Sequence, residues 1–122
     1  MLEIFMSICA LTMLECNSIT VEYYDLPRES WHAIAAIDDE GNYYIFVDDD
    51  LEDKSEKFMR QLMAHEIAHL IVYDMDNTNT SHFGLYEEVC AELVELAEVK
   101  GRHTCDPYSK PPPYPWRPLR RE

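Results

Sequence analysis

The chain has 122 residues, of which 47% are hydrophobic, so it is long enough for one domain with a core and too apolar for a wholly disordered chain. It carries 24 acidic side chains against 10 Lys and Arg, a formal net charge of -14. Residues 1–99 hold 22 of the acids and 4 of the bases. Such a body repels phosphate backbones, which argues against direct nucleic-acid binding.

Residues 2–16 predict an amphipathic helix. Apolar side chains, among them Leu2, Phe5 and Cys9, recur at spacings of three and four. The same run raises the possibility of a signal peptide, but no basic residue precedes it and Glu3 stands where positive charge is expected. No stretch of the chain reaches the roughly 20 apolar residues that span a bilayer. We therefore expect no membrane association.

Three short strands are expected to follow the first helix. Residues 19–26 alternate between apolar and polar side chains, as a half-buried strand does. Residues 31–37 and 43–47 flank an acidic turn in which Gly41 and Asn42 tolerate positive φ, and this pattern predicts a hairpin. We expect an antiparallel sheet. The acidic run at 48–50 lacks the spacing of a calcium loop and is predicted to be a solvated loop.

Two further helices and a tail complete the predicted layout. Residues 53–73 read as a helix with Asp53 or Ser55 as its N-cap, and residues 85–100 as a second one that ends at Gly101. The buried side of the last helix is expected to carry the apolar side chains Leu85, Val89, Leu93, Leu96 and Val94. The sequence thus predicts an α+β fold, with three main helices on a small three-stranded antiparallel sheet.

The C-terminal part of the chain differs in composition from the rest. Residues 104–122 are rich in proline and carry basic side chains, so they are predicted to be an extended tail after a domain formed by residues 1–103. Such tails are commonly flexible linkers. The alternative is that the aromatic and basic side chains of the tail dock on the acidic body or on a partner.

The four cysteines, Cys9, Cys16, Cys90 and Cys105, form no C-x-x-C pair. Their spacing does not suggest a disulfide framework. Free thiols in a reducing compartment are therefore expected. Together with the lack of a basic signal-peptide start, this predicts a cytoplasmic protein.

The segment His65-Glu66-Ile67-Ala68-His69 is the most informative part of the sequence. Two histidines four residues apart leave the same face of a helix, so both can reach one zinc ion at about 2.0–2.1 Å. Glu66 lies about 100° around the helix from His65, where its carboxylate can take a proton from a water that the metal activates. The spacing predicts a Zn2+ site. The alternative is a polar helix face without a metal.

A catalytic zinc site needs a third protein ligand and one open position. The position six residues after the second histidine is Met75, so this ligand must come from elsewhere. In the acidic helix we favour Glu88, with Glu92 as the carboxylate that orients a ligating histidine. Glu92 itself, Glu87 and His82 remain alternative ligands.

A donor for the developing oxyanion is also expected in a peptidase site. The candidates are His82, Tyr86 and His103, and the sequence does not rank them.

These residues resemble the ImmA/IrrE family of metallopeptidases. The resemblance covers about residues 1–98 and rests on the apolar helix at 58–70, which reads F-M-R-Q-L-M-A-H-E-I-A-H-L, and on the segment E-V-C-A-E at 88–92. The strand at 19–26 and the hairpin that ends at 44–48 are similar in order and spacing. After residue 92 the chain departs from the family pattern. The segment can therefore also be aligned one residue earlier, so that Glu87 takes the place of Glu88 as its first glutamate.

The resemblance implies a minimal zincin-like core with Glu88 as the third zinc ligand. It also implies a cytoplasmic zinc peptidase that acts on a protein substrate, such as a helix-turn-helix repressor in a phage, mobile-element or stress system. The alternative from another class is a catalytically silent metal-binding or interaction module, which would bind a partner protein through its acidic surface.

Overall fold

The computed structural model describes residues 1–26, 33–76, 84–99, 101 and 104–105. The described elements are the helices α1 (Leu2–Cys9), α2 (Glu56–Met75) and α3 (Leu85–Ala97), the strands β1 (Thr20–Tyr24), β2 (Ala33–Ile37) and β3 (Tyr43–Asp48), and short 3-10 turns at Cys16–Ser18 and Asp49–Leu51. The predicted α+β class is confirmed. None of the helices in this part of the chain is long and apolar enough to cross a bilayer.

The three strands form one sheet in the order β1-β3-β2. The predicted hairpin is present, since β2 and β3 pair antiparallel. The prediction of a wholly antiparallel sheet is wrong, because β1 pairs with β3 in parallel. This register sets Val21 beside Ile45 and Tyr23 beside Val47, so the half-buried side chains of β1 extend the apolar rows of β3.

The hairpin turn is built around the carboxylate of Asp38. It accepts hydrogen bonds from the backbone N–H groups of Glu40 and Asn42, from the Asn42 side-chain amide and from the Tyr44 hydroxyl. Desolvation raises the pKa of Asp38, but these hydrogen bonds outweigh it and lower the pKa to about 2. Gly41 has the expected positive φ of 87°, whereas Asn42 does not take a positive φ.

The first helix is shorter than predicted. It ends at Cys9, where the Thr12 hydroxyl donates a 2.6 Å hydrogen bond to the carbonyl oxygen of Cys9. The chain then turns back, so that Cys9 and Cys16 form a disulfide with their Cα atoms 6.0 Å apart.

A second disulfide joins Cys90 of α3 to Cys105. No cysteine of the chain is free, so the expectation of free thiols is wrong. The physical reason is that the fold brings each pair together through chain turns, which cysteine spacing alone does not reveal.

Helix α2 lies at the centre of the fold and contacts α1, α3 and β2. Its N-cap is Ser55, whose side chain accepts a hydrogen bond from the backbone N–H of Phe58 at 3.1 Å. The main core contains side chains of α1, α2, α3 and one face of the sheet, including Phe5, Leu62 and Ile45. The opposite face of the sheet carries a smaller cluster formed by Leu26, Ile34, Ala36 and Phe46.

Helix α3 ends at Ala97, earlier than predicted, because Glu98 adopts the left-handed conformation with φ 55°. Its buried side also differs from the prediction. The buried residues are Tyr86, Cys90, Leu93, Val94 and Ala97, whereas Leu96 is 56% exposed and Leu85 and Val89 are only half-buried. Tyr86 packs against α2 and Cys90 is bonded to Cys105, and these two contacts fix the rotation of the helix.

The chain returns to α2 after α3. Thr104 is buried, and its backbone N–H donates to the carbonyl oxygen of Gly101 at 3.4 Å. A Cβ atom at Gly101 would collide with the side-chain amide of Gln61, so the backbone at this point lies against that side chain of α2. The boundary predicted at residue 104 stays a prediction, but Thr104 and Cys105 pack against the domain. The rest of the predicted tail, residues 106–122, lies outside the described residues.

Candidate metal centre

Three polar side chains of α2 lie in the interior of the protein. His65, Glu66 and His69 are 1%, 3% and 8% exposed, and their helical neighbours Ala64 and Ile67 are fully buried. The ring centroids of the two histidines are 5.1 Å apart. Burying polar groups costs free energy unless partners compensate them. The partners of these three side chains therefore decide what the cluster can do.

His65 is oriented by a backbone carbonyl. Its Nδ1 lies 2.8 Å from the carbonyl oxygen of Thr104. Because a carbonyl oxygen only accepts hydrogen bonds, Nδ1 carries the proton and donates it, and the lone pair of the neutral ring is on Nε2. Metal-ligating histidines usually donate their second ring nitrogen in this way. The geometry thus fits His65 as a ligand through Nε2.

Glu66 is a buried carboxyl group with an unsatisfied oxygen. Its Oε1 has no hydrogen-bond partner among the described residues, and its Oε2 lies 4.0 Å from Nε2 of His65. Desolvation raises the pKa of Glu66 to about 8. The 4.0 Å approach would be an ion pair only with a charged imidazole and an ionised carboxyl, and burial favours the neutral acid. An orphaned carboxyl oxygen beside two histidines fits a site built for a cation or a water molecule.

Tyr86 of α3 contacts both histidines. Its hydroxyl donates a 3.0 Å hydrogen bond to the backbone carbonyl of His65, and its ring stacks on His69 with centroids 4.2 Å apart. The ring also meets that of His65 edge-on at 5.5 Å. The hydroxyl predicted as an oxyanion donor is thus committed to the backbone of α2. Tyr86 instead holds the two imidazoles in place, a role that the sequence did not indicate.

The glutamates expected as third ligands lie on the exposed side of α3. Glu87 accepts a 3.1 Å hydrogen bond from the backbone N–H of Gly84, and Glu88 and Glu92 are also exposed. Glu88 follows Tyr86 by two residues, which is about 200° around a helix, so it points away from the histidines. Glu92 lies at an apolar groove of about 330 Å³ between α3, the end of α2 and residues 11–14.

Among the described residues, one group of three ligand atoms lies close enough together that it could hold a metal ion, and it consists of Asp25, Asp48 and Asp49 at the ends of β1 and β3. The structure therefore does not bring the glutamates of α3 into a three-ligand group with the two histidines. The pKa of Asp49 is raised, first by desolvation and then by the negative charges of Asp25, Asp48 and Asp50. The aspartates are exposed or half-buried, and nothing else at the cluster points to a ligand.

Comparisons with known proteins add no relative. No protein-family model, no characterised protein and no solved structure matches this chain. The likeness to the ImmA/IrrE family thus stays an expectation from the residues at 58–70 and 88–92. His82 and His103, predicted as alternative ligand or donors, lie outside the described residues. The donor set of His65, Glu66 and His69 fits zinc. With α3 oriented as it is, none of the described glutamates of that helix serves as the third ligand.

Proposed function

We propose that the chain is a zinc-dependent metallopeptidase. The observation that carries the proposal is the buried carboxyl of Glu66, with its unpartnered oxygen, on the same helix turn as His65 and His69. A purely structural helix gains nothing from a buried carboxyl with an unsatisfied oxygen, since that group costs about 1–3 kcal/mol. A hydrolytic site needs a carboxylate next to the metal ligands.

His65 and His69 would hold the zinc ion through ring nitrogens, and Glu88 is the proposed third ligand. When bound, zinc polarises a peptide carbonyl and acidifies a water molecule. For Glu88 to ligate, the first turns of α3 must rotate, because its side chain is exposed and about 200° from the face that Tyr86 presents. Glu92, Glu87 and His82 remain the alternative ligands.

Glu66 is the proposed general base. In the metal-free protein burial raises its pKa to about 8, and a cation beside it favours the ionised form. The carboxylate then takes a proton from the attacking water, whose oxygen bonds to the peptide carbon. Glu66 passes that proton to the leaving amine as the C–N bond breaks. In the metal-free arrangement, the ring of Tyr86 contacts both imidazoles.

The substrate and the cellular location are part of the proposal. By the resemblance, the substrate is a protein, such as a helix-turn-helix repressor of a phage, mobile-element or stress system. The strongly negative body speaks against a direct contact with nucleic acid. We keep the cytoplasm as the proposed location. The two disulfides weigh against it, because disulfides persist mainly in oxidising compartments.

The test combines zinc content with hydrolysis of a protein substrate. Wild type is expected to bind zinc stoichiometrically and to cleave, and Glu66→Gln is expected to keep the zinc and lose cleavage. His65→Ala and His69→Ala should lose both. Full hydrolysis by Glu66→Gln would refute the mechanism. For the third ligand, Glu88→Ala should lose zinc, whereas Glu95→Ala, which changes another exposed glutamate of α3, should retain it.

A second function is favoured by the exposure of the glutamates on α3. Glu87, Glu88 and Glu92 form an acidic surface that is available to a basic partner, and Glu92 borders the apolar groove. In this reading the chain is a catalytically silent interaction module. Zinc binding without hydrolysis, together with an unchanged phenotype of Glu66→Gln, would support this module against the peptidase.

A further inference from the structure

We infer that Thr104 and the Cys90–Cys105 disulfide are positioning elements for His65, and that a dithiol reductant releases this imidazole by opening the disulfide. The consequence for zinc rests on the proposed function, whereas the orientation of the ring does not. The inference starts from one hydrogen bond, in which Nδ1 of His65 donates to the carbonyl oxygen of Thr104 at 2.8 Å.

This hydrogen bond sets two properties of His65. It fixes the rotation of the ring, and it selects the tautomer with the proton on Nδ1. Both are required for Nε2 to act as a ligand in a defined direction. Because the acceptor is a backbone atom, the orientation of the ring depends on where the chain around residue 104 is held.

The side chain of Thr104 does not hold that segment. Its hydroxyl oxygen is buried and has no hydrogen-bond partner in the part of the chain that the structure describes, and the whole residue is only 3% exposed. The next residue is Cys105, and its disulfide to Cys90 ties the segment covalently to α3. On the other side, Gly101 packs against Gln61 of α2. The carbonyl of Thr104 is thus placed by a disulfide one residue away and by the contact of Gly101 with the Gln61 side chain three residues away.

Opening the disulfide removes the covalent tie. A dithiol supplies two electrons and two protons, the sulfur–sulfur bond breaks, Cys90 and Cys105 become thiols, and the dithiol becomes a disulfide. Cys90 remains part of α3, but residues 104–105 can then move away from α2. His65 loses its carbonyl acceptor and its fixed tautomer. Loss of such a partner typically lowers metal affinity about 10- to 100-fold.

The other disulfide provides a matched control. The Cys9–Cys16 bond joins the last residue of α1 to the 3-10 turn at Cys16–Ser18, and neither cysteine is a neighbour of Thr104 in sequence. We therefore compare the full-length double variants Cys90→Ser/Cys105→Ser and Cys9→Ser/Cys16→Ser. Both lose one disulfide, but only the first loses the tie next to the acceptor of His65.

The first measurement is the imidazole 15N spectrum of metal-free protein, which reads the tautomer without zinc or activity. Wild type and the Cys9/Cys16 variant should show His65 protonated on Nδ1, and the Cys90/Cys105 variant should show a mixture of tautomers. An unchanged tautomer in the Cys90/Cys105 variant overturns the inference, as does the same change in both variants. If that variant does not fold, the Cys9→Ser/Cys16→Ser variant titrated with a dithiol gives the same readout, because the disulfide that it retains is Cys90–Cys105.

The second measurement is the zinc dissociation constant of the same proteins. We expect a 10- to 100-fold increase for the Cys90/Cys105 variant and less than a twofold change for the Cys9/Cys16 variant. A wild type that binds no zinc would refute the proposed function while leaving the tautomer result standing. Zinc binding with equal affinity in both variants would refute the positioning role.

Discussion

The phenol ring of Tyr86 stacks on the imidazole of His69, with ring centroids 4.2 Å apart and an angle of 25° between the planes. At the other end of the same side chain, the hydroxyl donates to the backbone carbonyl of His65. One residue of α3 is thus linked to two successive turns of the central helix. Tyr86 is fully buried, and it contributes to stability in two ways. Its ring packs against the histidines, and its hydroxyl makes a hydrogen bond.

Two substitutions at Tyr86 separate these contributions. Tyr86→Phe removes the hydrogen bond and keeps the ring, and we expect it to lower the free energy of unfolding by about 1 kcal/mol. Tyr86→Ala also leaves a cavity beside both histidines and should cost about 3–5 kcal/mol. Urea denaturation of the metal-free protein measures both values. Equal losses for the two variants would show that the ring does not pack as described.

The raised pKa of Glu66 predicts how stability depends on pH. The pKa is 4.5 in the unfolded chain and about 8 in the metal-free folded protein, so folding favours the protonated form. The stabilisation is therefore complete below pH 4.5 and is lost as the pH rises through about 8. The loss amounts to several kcal/mol, since each pKa unit corresponds to about 1.4 kcal/mol.

The comparison of Glu66→Gln with wild type tests this dependence. The neutral amide cannot ionise, so its free energy of unfolding should change much less between pH 4.5 and 8. Glu95→Gln, on the exposed side of α3, should follow the wild-type curve. Denaturation curves recorded at a series of pH values measure the free energy of unfolding of each protein. Parallel pH profiles for Glu66→Gln and wild type would contradict the assigned role of Glu66.

Asp38 has the opposite pH dependence. Its pKa is lowered from 3.8 to about 2 in the folded protein, so its contribution is present above pH 3.8 and is lost as the pH falls through about 2. Asp38→Asn should therefore destabilise the protein at neutral pH, and the difference from wild type should shrink toward pH 2 and vanish below it. Asp39→Asn changes the neighbouring turn residue and serves as the control. A full difference that persists below pH 2 would mean that the carboxylate charge is not responsible.

Zinc is expected to stabilise the fold through the histidine pair. A ligand that binds only the native state adds about 2.7 kcal/mol at a concentration of 100 times its dissociation constant. Thermal unfolding with zinc and with a chelator should thus give a higher midpoint with zinc, and His69→Ala should abolish the shift. Asp49→Ala removes one member of the exposed aspartate cluster and should leave the shift intact. The reverse pattern would place the zinc at the aspartates.

Some parts of this structure were predictable because local patterns in the sequence indicate them. The apolar residues around His65 and His69 predict a buried helix, and the helix spacing of four residues sets both imidazoles on one face. The alternation in β1 predicts which of its side chains are half-buried, but it is the same for either strand direction. The parallel pairing of β1 with β3 was therefore not predictable from that pattern.

Other parts depend on contacts that leave no local pattern. Apolar side chains occur on more than one side of α3, so periodicity alone did not distinguish a buried side with Leu96 from the observed one with Tyr86 and Cys90. The contact between His65 and Thr104 joins residues 39 positions apart and uses a backbone carbonyl. Any residue type offers such a carbonyl, so the sequence contains no signal for it. The third zinc ligand remains a prediction for the same reason, since it depends on the rotation of α3.

The strand order β1-β3-β2 also has a consequence for how the chain assembles. Strands β2 and β3 are joined by the turn at residues 38–42 and can pair as soon as both exist, since contacts between near neighbours in sequence close the smallest loops. Strand β1 has no partner until β3 has been made, although it precedes both in the chain. During synthesis β1 therefore emerges before the other two strands but pairs last. The β2–β3 hairpin can form first, and β1 then adds to the free edge of β3.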